Sequence, residues 1–178
     1  MFTELQKRAL LELGRHAITQ QVLGTAETLT VDVELPPAAG VFVTIRRDGQ
    51  LRGCLGTLQC SRGLAVEVSR CAADAASEDP RFPRVAADEL RVLTIEISVL
   101  GPLQEIDPRA EHAIAIGRHG LVAEQGHRRG LLLPQVATEW HWTAEQFLRQ
   151  TCLKAGLPGD AWKHGARISR FDAEVFGD

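Results

Sequence analysis

The spacing of the hydrophobic residues changes along this chain, and that change constrains the fold more than any single motif does. Leu5, Ala9, Leu13 and Ala17 recur every fourth residue, which is the repeat of one helix face. Thr3 and Gln6 stand at capping-box spacing before them, and Gly24 follows as a C-terminal cap. The chain is therefore expected to open with an amphipathic helix. From Leu29 the period becomes two: Leu29, Val31, Val33 and Leu35 alternate with Thr30, Asp32 and Glu34. That pattern predicts a half-buried strand, ended by Pro36 and Pro37.

The same reading continues through the middle of the chain. Val41-Phe42-Val43-Thr44-Ile45 is rich in β-formers, and Asp48-Gly49 supplies the positive-φ pair of a tight turn before residues 51–58, so a hairpin is expected here. Ser61 is the expected cap of a second helix, on which Leu64, Ala65, Val68, Cys71, Ala72 and Ala75 share a face until Pro80 and Pro83. Leu93, Ile95, Ile97 and Val99 then alternate with Thr94, Glu96 and Ser98 in another strand, closed by Gly101-Pro102.

Beyond it the pattern predicts short strands at 113–116, 121–124 and 131–133, with turns at Arg118-His119-Gly120 and at 126–130. A helix follows the capping-box pair Thr143 and Gln146, with Phe147, Leu148 and Leu153 on its face and Gly156 at its end. A last strand is expected at 168–176. Strands and helices do not alternate regularly, so the expected class is α+β rather than a doubly wound parallel sheet. A length of 178 residues fits a single domain, 1–178, with a change of character near 101–110 that would divide it into two lobes.

Composition excludes several functions. Twenty Lys and Arg against 23 Asp and Glu leave a net charge of -3, so nucleic-acid binding is not expected despite Arg46-Arg47 and His127-Arg128-Arg129. No apolar run reaches the roughly 18 residues of a membrane span. The first residues lack the basic and apolar stretches of a signal peptide, and the cysteines form no CxxC pair. A soluble cytoplasmic protein with reduced thiols is the expectation. The chain has no phosphate loop, dinucleotide fingerprint, zincin motif or nucleophile elbow. His112, His119 and His127 are spaced too widely to predict a metal site, and no cofactor is indicated.

The segment Leu51-Arg52-Gly53-Cys54-Leu55-Gly56-Thr57 is the most specific feature. Two glycines in one short strand mark a bulge or a close approach to the backbone. By the period of two, Arg52 shares a strand face with Cys54, where a cation would favour the thiolate. The plain alternative is that Cys54 is a small buried apolar residue.

This segment resembles the LRGCIGT signature of the AMMECR1 family, with Leu55 in place of the commoner Ile. Phe42-Val43-Thr44-Ile45, Ala75-Ala76-Ser77-Glu78-Asp79-Pro80-Arg81-Phe82, Ile97-Ser98-Val99-Leu100 and Leu131-Leu132-Leu133-Pro134-Gln135-Val136-Ala137 resemble further family blocks in order. The resemblance implies an α+β fold of a larger and a smaller lobe, with mixed or antiparallel strands and a cleft between the lobes. It also implies similarity to protein A of the AmmeMemoRadiSam system, whose partners would be a radical SAM enzyme and a Memo-like protein.

On this basis Cys54 and His119 are the candidate catalytic pair, His119 serving as acid or base if the lobes bring the two together. The candidate ligand contacts are Arg52, Gly53, Gly56, Thr57, Glu78, Asp79, Arg81 and Gln135. Trp140 and Trp142, which alternate as strand residues do, are expected in packing. Two kinds of function remain open: an enzyme component with a thiol in its cleft, and a non-catalytic module that binds partner proteins. A role in RNA modification is the weaker alternative.

Overall fold

A computed structural model describes residues 1–27 and 29–178, which form two compact units. The first comprises Met1–Leu100 and Glu174–Asp178, the second Gly101–Ala173.

The first unit opens with α1 (Glu4–Leu23). The Thr3 hydroxyl accepts from the Gln6 amide, the Gln6 side chain returns to the Thr3 amide, and Gly24 closes the helix at φ 68°. The hairpin forms as the sequence predicts: β1 (Gly40–Arg47) and β2 (Gln50–Thr57) are antiparallel, joined by Asp48 at φ 51° and Gly49 at φ 77°, the backbone of a tight hairpin turn. A bulge between Ile45 and Arg46 shifts the register, so that Ile45 faces Gly53 while Arg46 faces Leu51. After α2 (Leu64–Ser77), the strand β3 (Leu93–Leu100) pairs antiparallel with the other side of β1. Val41, Val43, Ile45, Ile95, Ile97 and Val99 form one face of this sheet, and they pack on Leu10, Leu13, Leu64, Val68 and Cys71 of the two helices. Each large apolar side chain buried there contributes about 1.5–3 kcal/mol.

Two local expectations fail. Residues 29–35 form no strand, although their exposure does alternate. They run extended beside α1 with Leu29, Val31 and Leu35 packed against the core, and Gln6 Nε2 donates to Glu34 O at 2.8 Å. Period-two burial requires only an extended chain over an apolar surface, not a ladder partner. Nor does Ser61 cap α2; the cap is Gly63, at φ 89° and without a side-chain hydrogen bond.

In the second unit, β7 (Arg167–Gly177) pairs antiparallel with β4 (Gln104–Ile106) and β5 (His119–Gln125), and β5 pairs with β6 (Arg128–Leu132). The last residues of β7 return to the first unit, where Asp178 N donates to Ile95 O. Residues 113–116, expected as a strand, form none, and α3 (Pro134–Glu139) follows β6 where no helix was expected. Its signal was Pro134 at the first helical turn. The Thr143 capping box starts α4 (Ala144–Lys154), whose Phe147, Leu148 and Cys152 fill the core of this unit. Trp140 and Trp142 lie in the turn between α3 and α4 rather than on a strand, stacked with ring centroids 6.2 Å apart.

Candidate functional site

The structure collects Cys54, Asp79 and Arg81 at the outer edge of β2. Cys54 alternates out of the β1 ladder, so its backbone N–H and C=O face away from the partner strand. Both are taken up by the segment that follows α2. Cys54 N donates to Asp79 Oδ2 at 2.8 Å, and Arg81 Nη2 donates to Cys54 O at 3.3 Å. Asp79 is itself buried, and its carboxylate also receives Arg81 N at 3.1 Å, Nε at 2.9 Å and Nη2 at 2.7 Å. The Arg81 guanidinium, helped by the Cys54 amide against the opposing effect of burial, holds the Asp79 carboxyl far below the usual carboxylate range. The guanidinium is half-exposed and lies 5.5 Å from the centre of the Phe82 ring.

The side chain of Cys54 is treated differently from its backbone. It is half-buried, and its one hydrogen bond among the described residues comes from Thr44 Oγ1, 3.3 Å from Sγ. Thr44 is the residue opposite Cys54 in the hairpin register.

The glycines of the motif serve packing. A Cβ on Gly53 would lie 2.2 Å from Ala75 O of α2, and one on Gly56 would lie 2.3 Å from the Phe42 ring. Both positions permit close approach, but what approaches is the protein's own helix and aromatic ring. Thr57 ends β2 in a local turn, accepting from Gln59 N at 3.1 Å.

Arg52 does not act on the thiol as the period of two implied. The bulge makes it the extra residue of β2 and turns its guanidinium to Glu89, to which Nε and Nη2 donate at 2.9 and 2.8 Å. Its remaining donors go to Pro83 O and Arg84 O. Arg52, the Ala86 amide and Arg47 lower the Glu89 carboxyl to about 2 in spite of its burial. This is a buried fork that anchors the loop after α2. Glu78, also in the expected cluster, is exposed, and among the described residues its carboxylate pairs with Arg84 alone, at 3.2 Å.

His119 and Gln135 belong to the second unit. His119 is the first residue of β5, not a turn residue, and it is buried. Its Nδ1 accepts from Ala115 N at 3.0 Å, which places the proton on Nε2, 3.9 Å from Asp172 Oδ1. Burial and the nearby Arg170 push its pKa down. Gln135 stands in the first turn of α3, and its Oε1 is buried without a hydrogen-bond partner. Among the described residues, no three His, Cys, Asp or Glu side chains gather as a metal set, no disulfide forms, and no helix is long and apolar enough to cross a membrane.

Thr44 and Glu89 escaped the sequence reading as site residues. The signal for Thr44 was present, since it is the one polar residue in the Val41–Ile45 run, but pairing it with Cys54 requires knowledge of the bulge.

Comparison with known proteins places this geometry in a wider set. The sequence model of the AMMECR1 family matches residues 11–176. A protein of Methanothermobacter thermautotrophicus is 42% identical over 178 residues, covering 95% of this chain and 92% of its own length. Protein PF1979 of Pyrococcus furiosus is 40% identical over 180 residues, covering 94% of this chain and 85% of its own. The crystal structure of the uncharacterized protein PH0010 from Pyrococcus horikoshii superimposes with a TM-score of 0.85 at 39% identity, covering 95% of this chain and 89% of that one.

Proposed function

The chain belongs to the AMMECR1 family, and from that premise we propose that it is an enzyme component whose working group is the Cys54 thiol. One observation carries the reading. A buried carboxylate and a guanidinium clamp the amide and carbonyl of a single edge-strand residue, while the sulfur of that residue is left half-open, with the Thr44 hydroxyl as its one hydrogen-bond partner among the described residues. Burying a carboxylate is costly unless it is fully paired, and here the pairing fixes the position of Cys54 and leaves its side chain available. A held nucleophile with a free reacting atom is what covalent catalysis requires.

In this reading the substrate is a small polar molecule with an electrophilic carbon such as a carbonyl. The thiol gives its proton to solvent, the sulfur lone pair forms the C–S bond, and the displaced π pair on oxygen takes up a proton. The thiol has then added across the double bond with no change of oxidation state. The partners proposed with it are a radical SAM enzyme and a Memo-like protein acting in the cytoplasm.

A genetic replacement tests the proposal. The small-molecule profile of a strain lacking the protein should be restored by the natural chain and not by Cys54→Ser, with Cys54→Ser still accumulating as folded protein. Full restoration by Cys54→Ser would overturn the thiol reading in favour of a partner-binding module.

A further inference from the structure

The sheet face opposite the helices carries a polar strip that the clamp at Cys54 does not explain. The register aligns Cys54 of β2, Thr44 of β1 and Glu96 of β3 in one cross-strand row, with Gly56, Phe42 and Ser98 in the next. Residues that share a row across adjacent strands point to the same face. The Thr44 hydroxyl beside the Cys54 sulfur shows that the first two do.

Two members of this strip lack partners. Among the buried and half-buried carboxylates of the first unit, Glu67 meets Arg62 and Arg70, Asp74 meets Arg70, Asp79 meets Arg81, Glu89 meets Arg47 and Arg52, and Glu174 meets Lys7. Glu96 is also half-buried, and it meets no cation among the described residues. Two residues along the same strand face, Ser98 is fully buried and its Oγ has no hydrogen-bond partner. An unpaired hydroxyl in that position costs stability.

From this pair we infer that the Cys54 site takes a substrate bearing a positively charged nitrogen, an alkylammonium or guanidinium, with Glu96 as its counter-ion and Ser98 as a hydrogen-bond partner. The inference rests on the thiol reading above and names the substrate class for it. Two guanidiniums compete for an anion, but Asp79 neutralises Arg81 at 2.7 Å, and Arg46, one row nearer the turn on the same face, donates to Gly49 O at 3.4 Å; neither pairs with Glu96, which has no cation within salt-bridge distance among the described residues. Phe42, whose ring lies over Gly56, adds an aromatic surface on the same face, and a cation is attracted to such a ring. Adjacent strands are about 4.8 Å apart, so the Cα atoms of Cys54 and Glu96 are separated by about 10 Å. A compact molecule can therefore reach both groups.

Charged thiol reagents test the inference on the full-length protein. Cys54 modification by cationic 2-aminoethyl methanethiosulfonate and by anionic 2-sulfonatoethyl methanethiosulfonate is followed by peptide mass, each rate normalised to that of 2-mercaptoethanol. The cationic reagent should be favoured about tenfold at low salt, and the preference should shrink as salt rises. In Glu96→Gln the ratio should fall to about one, while Ser98→Ala should keep the melting temperature of the natural chain or exceed it.

A natural chain without the cationic preference, a preference unchanged in Glu96→Gln, or a lowered melting temperature in Ser98→Ala would overturn the assignment. Neutral methyl methanethiosulfonate separates the two readings. If Cys54 fails to react with it as well, the thiol proposal itself falls; if Cys54 reacts with every reagent regardless of charge, only the cation assignment does.

Discussion

Cys54 and His119 stand in different units of the molecule, and both are fixed by hydrogen bonds, but those bonds fall on different atoms. At Cys54 the clamp takes the backbone amide and carbonyl and leaves the sulfur beside one hydroxyl. At His119 the ring itself is held: it is buried, Nδ1 is occupied by the Ala115 amide, and Nε2 faces an Asp172 carboxylate already engaged by Arg118 at 3.0 Å. A residue type capable of chemistry is not sufficient. The reacting atom must be free while the rest of the residue is held, and that condition separates a candidate nucleophile from a packed histidine.

The comparison can be broken first at Gly53. If this glycine exists so that α2 can rest on β2, Gly53→Ala drives a methyl into Ala75 O and should destabilise the protein by about 3 kcal/mol or more, seen as a lower denaturant midpoint. A variant that keeps its stability would show that the glycine instead serves a ligand.

A smaller effect is expected at Arg52. Arg52→Ala leaves the buried Glu89 with Arg47 and the Ala86 amide, at a cost of about 2–3 kcal/mol, while the rate of Cys54 alkylation changes by less than about twofold. The Glu89 carboxyl is lower when folded than when unfolded, so its contribution is complete above about 4.5 and is lost as pH falls toward about 2. Removing Arg52 should weaken that acid-side dependence. A large loss of Cys54 reactivity in this variant would restore Arg52 as the activating cation.

The smallest effect belongs to His119. Its pKa is depressed in the folded chain by burial and by Arg170, so the unfolded chain binds the proton first and stability declines as pH drops below 6.5. Melting temperatures between pH 7.5 and 5 should fall more steeply in the natural chain than in His119→Gln. Equal slopes would mean that the ring is not buried as described.

These sites also show what the residues alone could convey. The Thr3 and Thr143 capping boxes, the Asp48-Gly49 turn and the alternation in β3 are local, and each element forms where its pattern lies. The face around Cys54 was harder to read because one residue of bulge decides it. A symmetric turn would pair Ile45 with Arg52; the bulge pairs Ile45 with Gly53, brings Thr44 opposite Cys54 and turns Arg52 to Glu89. Of the two arginines the sequence singled out near Cys54, it is Arg81 and not Arg52 whose guanidinium meets Cys54. Asp79 stood among the candidate contacts, but its hold on the Cys54 amide was not legible, because that contact joins residues 25 apart in sequence. The open partners of Glu96 and Ser98 depend on everything around them, and no local pattern encodes an absence.

The most direct measurement is the order in which the four cysteines of the folded protein react with neutral iodoacetamide, read by peptide mass over time. Burial pushes the Cys71 thiol up to about 11, burial raises Cys152, and burial together with Glu67 raises the half-buried Cys60. The clamped but open sulfur of Cys54 should therefore be labelled first, with Cys60 behind it and Cys71 and Cys152 last. Labelling of Cys60 as early as Cys54, or protection of Cys54 until the chain unfolds, would contradict the account.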